Sequence, residues 1–317
     1  MKLSRSMVMG AAFLAWAGAA NAQQPNFDAI PIKVVDLAPG AFMLEGAGGN
    51  VTVVAGKGGV IMVDGQFAPM HDKIAAAVKA VTDAPIKYLI NTHYHGDHVG
   101  GNAPFARDGV TTIAHENVGK RLASGTVNSF TGAKAAPVEK DAIPKRPYTK
   151  SFSVSVGGRS ARIGHPVAAH TDGDSVVYFP EVNVLSTGDI LTLGRYPLVD
   201  FGNGGSINGL ISAVEGYVKI ANDQTKVVPG HGPVVDRAAL VKYRDMLVTA
   251  RDRVAKLIAE GKSDKEAVAA RPFPDLESFG PPLIREPGAL PCPVSLRQRA
   301  REPRVLGARR ARRLRPP

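Results

Sequence analysis

The sequence predicts an α/β fold of four layers, αββα, in which two sheets pack face to face and helices cover both outer surfaces. Three observations point to it. A strand-rich stretch followed by helix occurs twice, the strands are short and β-branched, and the helical segments carry apolar stripes that must be buried against something. With 317 residues, 44% hydrophobic and 21% charged, the chain has material for a substantial core and too little charge for a disordered protein.

Residues 32–37, 42–45, 51–55 and 60–63 read as strands separated by glycine-rich turns (46–50 and 56–59), the pattern of an antiparallel meander. Residues 70–82 place Ile74, Ala77, Val78 and Val81 at helical spacing, and 87–90 form a short buried strand. Strand, loop and helix then alternate to about residue 124. A second β-rich stretch follows, clearest at 151–156, 175–179 and 183–185. Residues 206–221 and 236–260 close it as helices, the first with Ser206 as N-cap, the second amphipathic through Leu240, Tyr243, Leu247, Val254 and Leu257.

The formal net charge of +11 sits at the two ends. Residues 281–317 hold ten arginines against Glu286 and Glu302, and residues 1–22 add Lys2 and Arg5, which leaves +1 for residues 23–280. A basic protein of this kind would suggest a polyanionic partner, but the body of this chain is nearly neutral. Residues 1–22 read as a secretory signal: a basic start, an apolar run at 7–20 too short to span a bilayer, and Ala20-Asn21-Ala22 as the cleavage site. A periplasmic or secreted protein with no membrane anchor after cleavage is expected. Residues 23–280 would form the folded domain. Beyond Gly280 lysine vanishes and Arg, Pro and Ala dominate without periodicity. That tail reads as a basic arm, a disordered extension or out-of-frame translation, and the abrupt change of composition favours the last. Trp16 and Cys292 both fall outside the body, so its chemistry rests on histidine, carboxylate and hydroxyl groups.

The strongest chemical signal is Asn91-Thr92-His93-Tyr94-His95-Gly96-Asp97-His98-Val99-Gly100-Gly101, directly after a strand. In an extended loop, residues two apart point the same way, so His93 and His95 can bind one cation. Gly96 would let the chain turn so that Asp97 and His98 face a second cation, and Gly100 and Gly101 would permit close packing where the next helix begins. His170, Asp189 and His231 lie in similar strand-end contexts and supply further ligands.

The order Asp64, His93-x-His95-x-Asp97-His98, His170, Asp189, His231 resembles the five motifs of the metallo-β-lactamase superfamily over about residues 30–260. That resemblance implies the αββα sandwich with a metal site at one edge, between its halves. It implies one zinc on His93, His95 and His170, and a second on Asp97, His98 and His231. Asp189 would bridge the two, and Asp64 would buttress the ligand loop by hydrogen bonds. Nitrogen and oxygen ligation suits Zn²⁺ best and is also open to iron or manganese. The implied chemistry is hydrolytic: two cations lower the pKa of a shared water from ~15.7 towards ~7, hold it as hydroxide and polarise a carbonyl. Asp97 would orient that water or carry its proton. Tyr196, in the glycine-rich segment 196–206, is a candidate donor to the developing oxyanion.

The implied substrate is a small molecule with an activated carbonyl, a β-lactam or a lactone. Asp at position 189, where true metallo-β-lactamases carry Cys or Ser, resembles lactonases and glyoxalase II-type thioesterases, so β-lactam turnover is expected to be secondary. The histidines at 93 and 98 are closest to the third β-lactamase subclass. A mononuclear iron oxygenase of the same fold, and polyanion or nucleic-acid binding through the tail, are the alternatives. The export signal argues against nucleic acid. His71, His115 and His165 need no more than capping or surface roles.

Overall fold

The computed structural model describes residues 25–127, 132–276 and 279. Residues 1–22, expected to be an export signal, and the arginine-rich residues 281–317 lie outside the described residues.

β1 (Lys33–Ala38), β2 (Ala41–Glu45), β3 (Val51–Gly56) and β4 (Gly59–Val63) form the expected antiparallel meander. Helix α1 (His71–Val81) then carries the chain back, so that β5 (Ile86–Ile90) joins β4 in parallel. Two short helices, α2 (Gly96–Val99) and α3 (Asn102–Arg107), lead to β6 (Thr111–His115), parallel to β5. After α4 (Glu116–Ser124) comes a separate ladder of β7 (Thr126–Val127) and β8 (Lys134–Ala135). The edge strand β9 (Arg146–Tyr148) completes a seven-stranded sheet. Pro147 is tolerated there because an edge strand has N–H groups to spare.

The second sheet contains β10 (Ser151–Val156), β11 (Arg159–Gly164), β12 (Val176–Phe179) and β13 (Val184–Ser186) in antiparallel order. Helix α5 (Ile207–Ile220) then crosses over to β14 (Lys226–Val228), parallel to β13. β11 is obscured in the sequence because arginines interrupt its apolar pattern. Folded, it buries Ala161 and Ile163 and turns Arg162 to solvent. Helices α6 (Arg237–Ala259) and α7 (Asp264–Ala269) finish the described chain. The side chains of Ser206 and Asp236 accept from backbone N–H groups in the first turns of α5 and α6, as N-caps should.

Side-chain alternation explains the layers. On β4, Ile61 and Val63 face the second sheet and join Val177, Phe179, Val184 and Val228 in the inter-sheet core. Val60 and Met62 on the same strand point the other way and pack under Ile74 and Val78 of α1 and Phe105 of α3. Leu185 and Val227 on the second sheet's outer face are covered by Leu210 and Val214 of α5 and by Leu240, Tyr243 and Leu247 of α6. Each such side chain contributes roughly 1.5–3 kcal/mol by leaving water. The sandwich therefore has three apolar layers, and one end is left polar. At that end Thr52 of β3 and Ser186 of β13 meet across the sheets, their hydroxyls 3.0 Å apart.

Candidate metal centre

The polar end is where β4, β5, β13 and β14 finish at their carboxyl ends, the position where sheets with parallel strands commonly bind ligands. Asp64 follows β4, the 91–98 loop follows β5, Asp189 follows β13 and His231 follows β14; His170 comes from the loop before β12. Backbone bonds lock these segments to one another. Asp64 N–H donates to Ile90 (2.8 Å), Ser175 N–H to Thr92 (2.7 Å), and Asn50 N–H to Gly230 (2.8 Å). The Asn50 side chain also donates to the carbonyls of Pro229 and Gly232, at 2.9 and 2.8 Å, and so pins the turn that carries His231.

Two clusters of ligating atoms result, His93, His95, His170 and Asp189 in one and Asp97, His98 and His231 in the other, each with its atoms within 4.8 Å of one another. Asp189 faces both. Its Oδ2 lies 3.9 Å from His170 Nε2, while Oδ1 lies 3.2 Å from His98 Nε2 and 3.4 Å from His231 Nε2.

The tautomers follow from what the outward nitrogens touch. His98 Nδ1 donates to Asp64 Oδ2 (2.8 Å), and His170 Nδ1 donates to the Leu198 carbonyl (2.7 Å). His95 donates through Nε2 to Asp200 Oδ2 (3.1 Å). Thr92 gives its hydroxyl proton to Asp64 Oδ2 (2.6 Å), so at 3.0 Å its oxygen can accept from His93 Nδ1. Around a bound cation four rings would thus turn an unprotonated nitrogen inward, His95 through Nδ1 and His93, His98 and His170 through Nε2.

Such nitrogens repel unless something positive lies between them. His170 Nε2 and His95 Nδ1 are 3.0 Å apart, and His98 Nε2 and His231 Nε2 are 3.4 Å apart. Among the described residues, His93 Nε2 is a buried polar atom without a hydrogen-bond partner. Burial without a partner costs roughly 1–3 kcal/mol per atom, and a cation bound here would remove that cost. The donor set fits divalent zinc, with hydrogen-bonded acceptors behind the rings in the manner of metal-ligating histidines.

The charges are arranged accordingly. Burial, with His98, His170 and His95 beside it, holds His93 well below the usual histidine pKa, and burial with His95 brings His170 to about 4. Burial alone would discharge His98, but Asp189, Asp97 and Asp64 outweigh it and raise its pKa well above the usual value. Burial would likewise raise Asp97, but His98 and His231 bring it to about 2.

Asp64 accepts from Thr92 N–H and Oγ1 and from His98 Nδ1, so one carboxylate orients the ligand loop at two points. Its φ of 62° is a left-handed conformation, rare for a non-glycine residue and maintained by these bonds. Gly188 has φ +54°, and a Cβ there would lie 2.5 Å from that of Thr92, so only glycine lets the Asp189 turn approach the ligand loop. Gly96 differs from expectation. It has no positive φ, and a Cβ there would meet nothing within 4 Å; the turn is made by the short helix α2.

Tyr196 packs its ring near that of Phe273, centroids 6.4 Å apart, against the core under α5 and α6. The Tyr94 hydroxyl donates to Asp200 Oδ2, beside His95, and is held protonated by burial and that carboxylate. Asp200, Tyr94 and Arg121 are additions the sequence did not single out. Arg121 donates through Nε and Nη2 to Asp172 (2.7 and 2.6 Å) and through Nη1 to Asn203 (2.7 Å), and Asn203 in turn donates to Asp200 at 2.9 Å.

Residues 44–257, well over half of the chain, match the family model of the metallo-beta-lactamase superfamily. The chain belongs to that superfamily. Its similarity to individual members is modest. It is 28% identical over 204 residues to the Caenorhabditis elegans beta-lactamase-like protein 2 homolog, covering 63% of this chain and 60% of that protein. With the type 2 metallo-beta-lactamase of Bacillus cereus it shares 24% over 217 residues, 66% of this chain and 76% of the other. With a hydroxyacylglutathione hydrolase of Polaromonas it shares 30% over 167 residues, 51% and 54% of the two. The solved metallo-beta-lactamase from Pontibacter korlensis superposes with a TM-score of 0.54 at 20% identity, over 68% of this chain and 98% of that one, which shows the shared fold.

Proposed function

We propose that this superfamily member is a two-zinc hydrolase that opens an activated carbonyl of the β-lactam or lactone class, with β-lactam turnover secondary. The observation that carries this reading is Asp189, whose two oxygens face the two ligand clusters separately. Zinc bound there would supply an acidified water and a polarising charge for the carbonyl oxygen. His93, His95, His170, Asp97, His98 and His231 would hold the ions, and Asp64 and Asp200 would fix the rings behind them.

The chain's own part is proton handling and orientation. In hydrolysis the water oxygen bonds to the carbonyl carbon, the bond to the ring nitrogen or oxygen breaks, and one water proton ends on that leaving atom. Asp97, ionised at neutral pH and with its side chain 28% exposed at the mouth of the site, is placed to take that proton and deliver it. The same steps with sulfur as leaving atom describe a thioesterase. The Polaromonas relative favours that second reading through its name. Residues 1–22 support export, with a small-molecule substrate and no nucleic-acid partner.

Zinc-loaded protein offered a chromogenic cephalosporin, a homoserine lactone and a glutathione thioester tests the reading. Turnover of the lactone above the cephalosporin, abolished by a chelator and restored by zinc, is expected. No turnover of any of the three overturns it.

A further inference from the structure

We infer that a groove beside His95 binds a neutral, apolar acyl chain of the substrate, which makes the preferred carbonyl that of a medium-chain lactone or ester. This rests on the hydrolytic reading of the adjoining site. The groove encloses about 750 Å³, within the range of small-molecule sites, and its wall includes Tyr94, His95 and Gly96 of the ligand loop. It is therefore continuous with the place where a carbonyl would react. From there it runs between α3 and α4 and under β8.

Its chemistry is apolar. Val99, Ala103 and Leu122 are buried at its floor, and Ala135, Ala136 and Val138 stand exposed along its outer side. The empty space at Gly96, where a Cβ would meet nothing within 4 Å, is part of the same opening. The two guanidinium groups in the wall are committed to protein partners: Arg107 to Glu139 and, at 3.5 Å, to Asp141, and Arg121 to Asp172 and Asn203. Lys134 belongs to the exposed strand β8. Short of Lys134 at the exposed rim, a carboxylate-bearing group would have to break one of those ion pairs to gain a partner, whereas a hydrocarbon chain needs only to leave water.

The test uses zinc-loaded full-length protein and p-nitrophenyl acetate, butyrate, hexanoate and decanoate. kcat/KM should rise roughly three- to fourfold for each added methylene until the groove is filled, the factor expected for burying a CH₂. Ala135→Trp and Val138→Trp, both at exposed positions of the groove wall, should lower decanoate turnover at least tenfold relative to acetate turnover. A flat chain-length profile, or variants that slow acetate and decanoate equally, would overturn the inference. Binding of the neutral fluorophore N-phenyl-1-naphthylamine to metal-stripped protein, displaced by 1-decanol, reads the groove without catalysis. Loss of that binding in both variants is expected, and equal binding by wild type and variants overturns the proposal. If no ester turns over, the hydrolase reading fails, and the fluorophore result alone decides for or against the groove.

Discussion

Arg121 of α4 grips both carboxylate oxygens of Asp172, at 2.7 and 2.6 Å, two residues beyond the candidate ligand His170. The same guanidinium reaches Asn203, which holds Asp200, which accepts the His95 Nε2 proton. A surface helix is thereby joined to both sides of one ligand cluster. The pair is about three-quarters buried, its side chains 22% and 30% exposed, so it should matter more than a surface ion pair. Arg121→Ala is expected to cost about 2 kcal/mol, the worth of charge-assisted hydrogen bonds lost from a partly buried site, as read from urea unfolding. Arg121→Lys, unable to make the two-point contact, should recover less than half of that loss.

Asp200→Asn tests the support behind His95. The amide keeps the shape but removes the charge that makes the His95 proton donation and the Tyr94 contact strong. Zinc affinity should fall about 10- to 100-fold in chelator competition, the usual effect of losing an outer hydrogen-bond partner of a ligating histidine. An unchanged affinity would show that His95 needs no such support.

Gly188→Ala places a methyl 2.5 Å from Thr92 Cβ in a backbone conformation unfavourable to alanine. A loss of about 1–3 kcal/mol is expected from strain and overpacking, seen as a lower midpoint of thermal unfolding. Because Thr92 sits beneath His93, the variant should also bind zinc more weakly, whereas Gly261→Ala, in open space beyond α6, should leave zinc binding unchanged.

Away from the centre, His115 caps α4 by accepting from Asn117 N–H, and its ring stacks on His165 with centroids 3.7 Å apart. Burial and the neighbouring imidazole lower its pKa below the ordinary 6.5. The folded state therefore resists protonation that the unfolded chain accepts. His115 contributes fully above pH 6.5, and that contribution is lost as pH falls from 6.5 towards its depressed folded pKa. Urea midpoints of wild type and His115→Gln should converge between pH 7.5 and 5.5. A constant difference across that interval would contradict the assignment.

How far the sequence discloses this molecule depends on the range of the interactions. Strands β1–β4 and helices α1, α5 and α6 are visible because alternation and helical spacing are local patterns. The His93–His98 loop is visible for the same reason: its chemistry is concentrated in six residues. Asp200 meets Tyr94 across 106 positions, and Arg121 meets Asp172 across 51, and nothing in their immediate neighbours distinguishes them from surface residues. In the glycine-rich segment after Asp189, the ring of Tyr196 lies near Phe273, and Asp200, four residues later, reaches His95.

Two clusters joined by Asp189 would hold two metal ions. Zinc counted per chain after equilibrium dialysis, by plasma mass spectrometry, tests it most directly when wild type is compared with His93→Ala and His231→Ala. About two ions are expected in wild type and about one in each variant, since each substitution removes one ligand from one cluster. Fewer than half an ion per wild-type chain, or the same count in all three proteins, would contradict it.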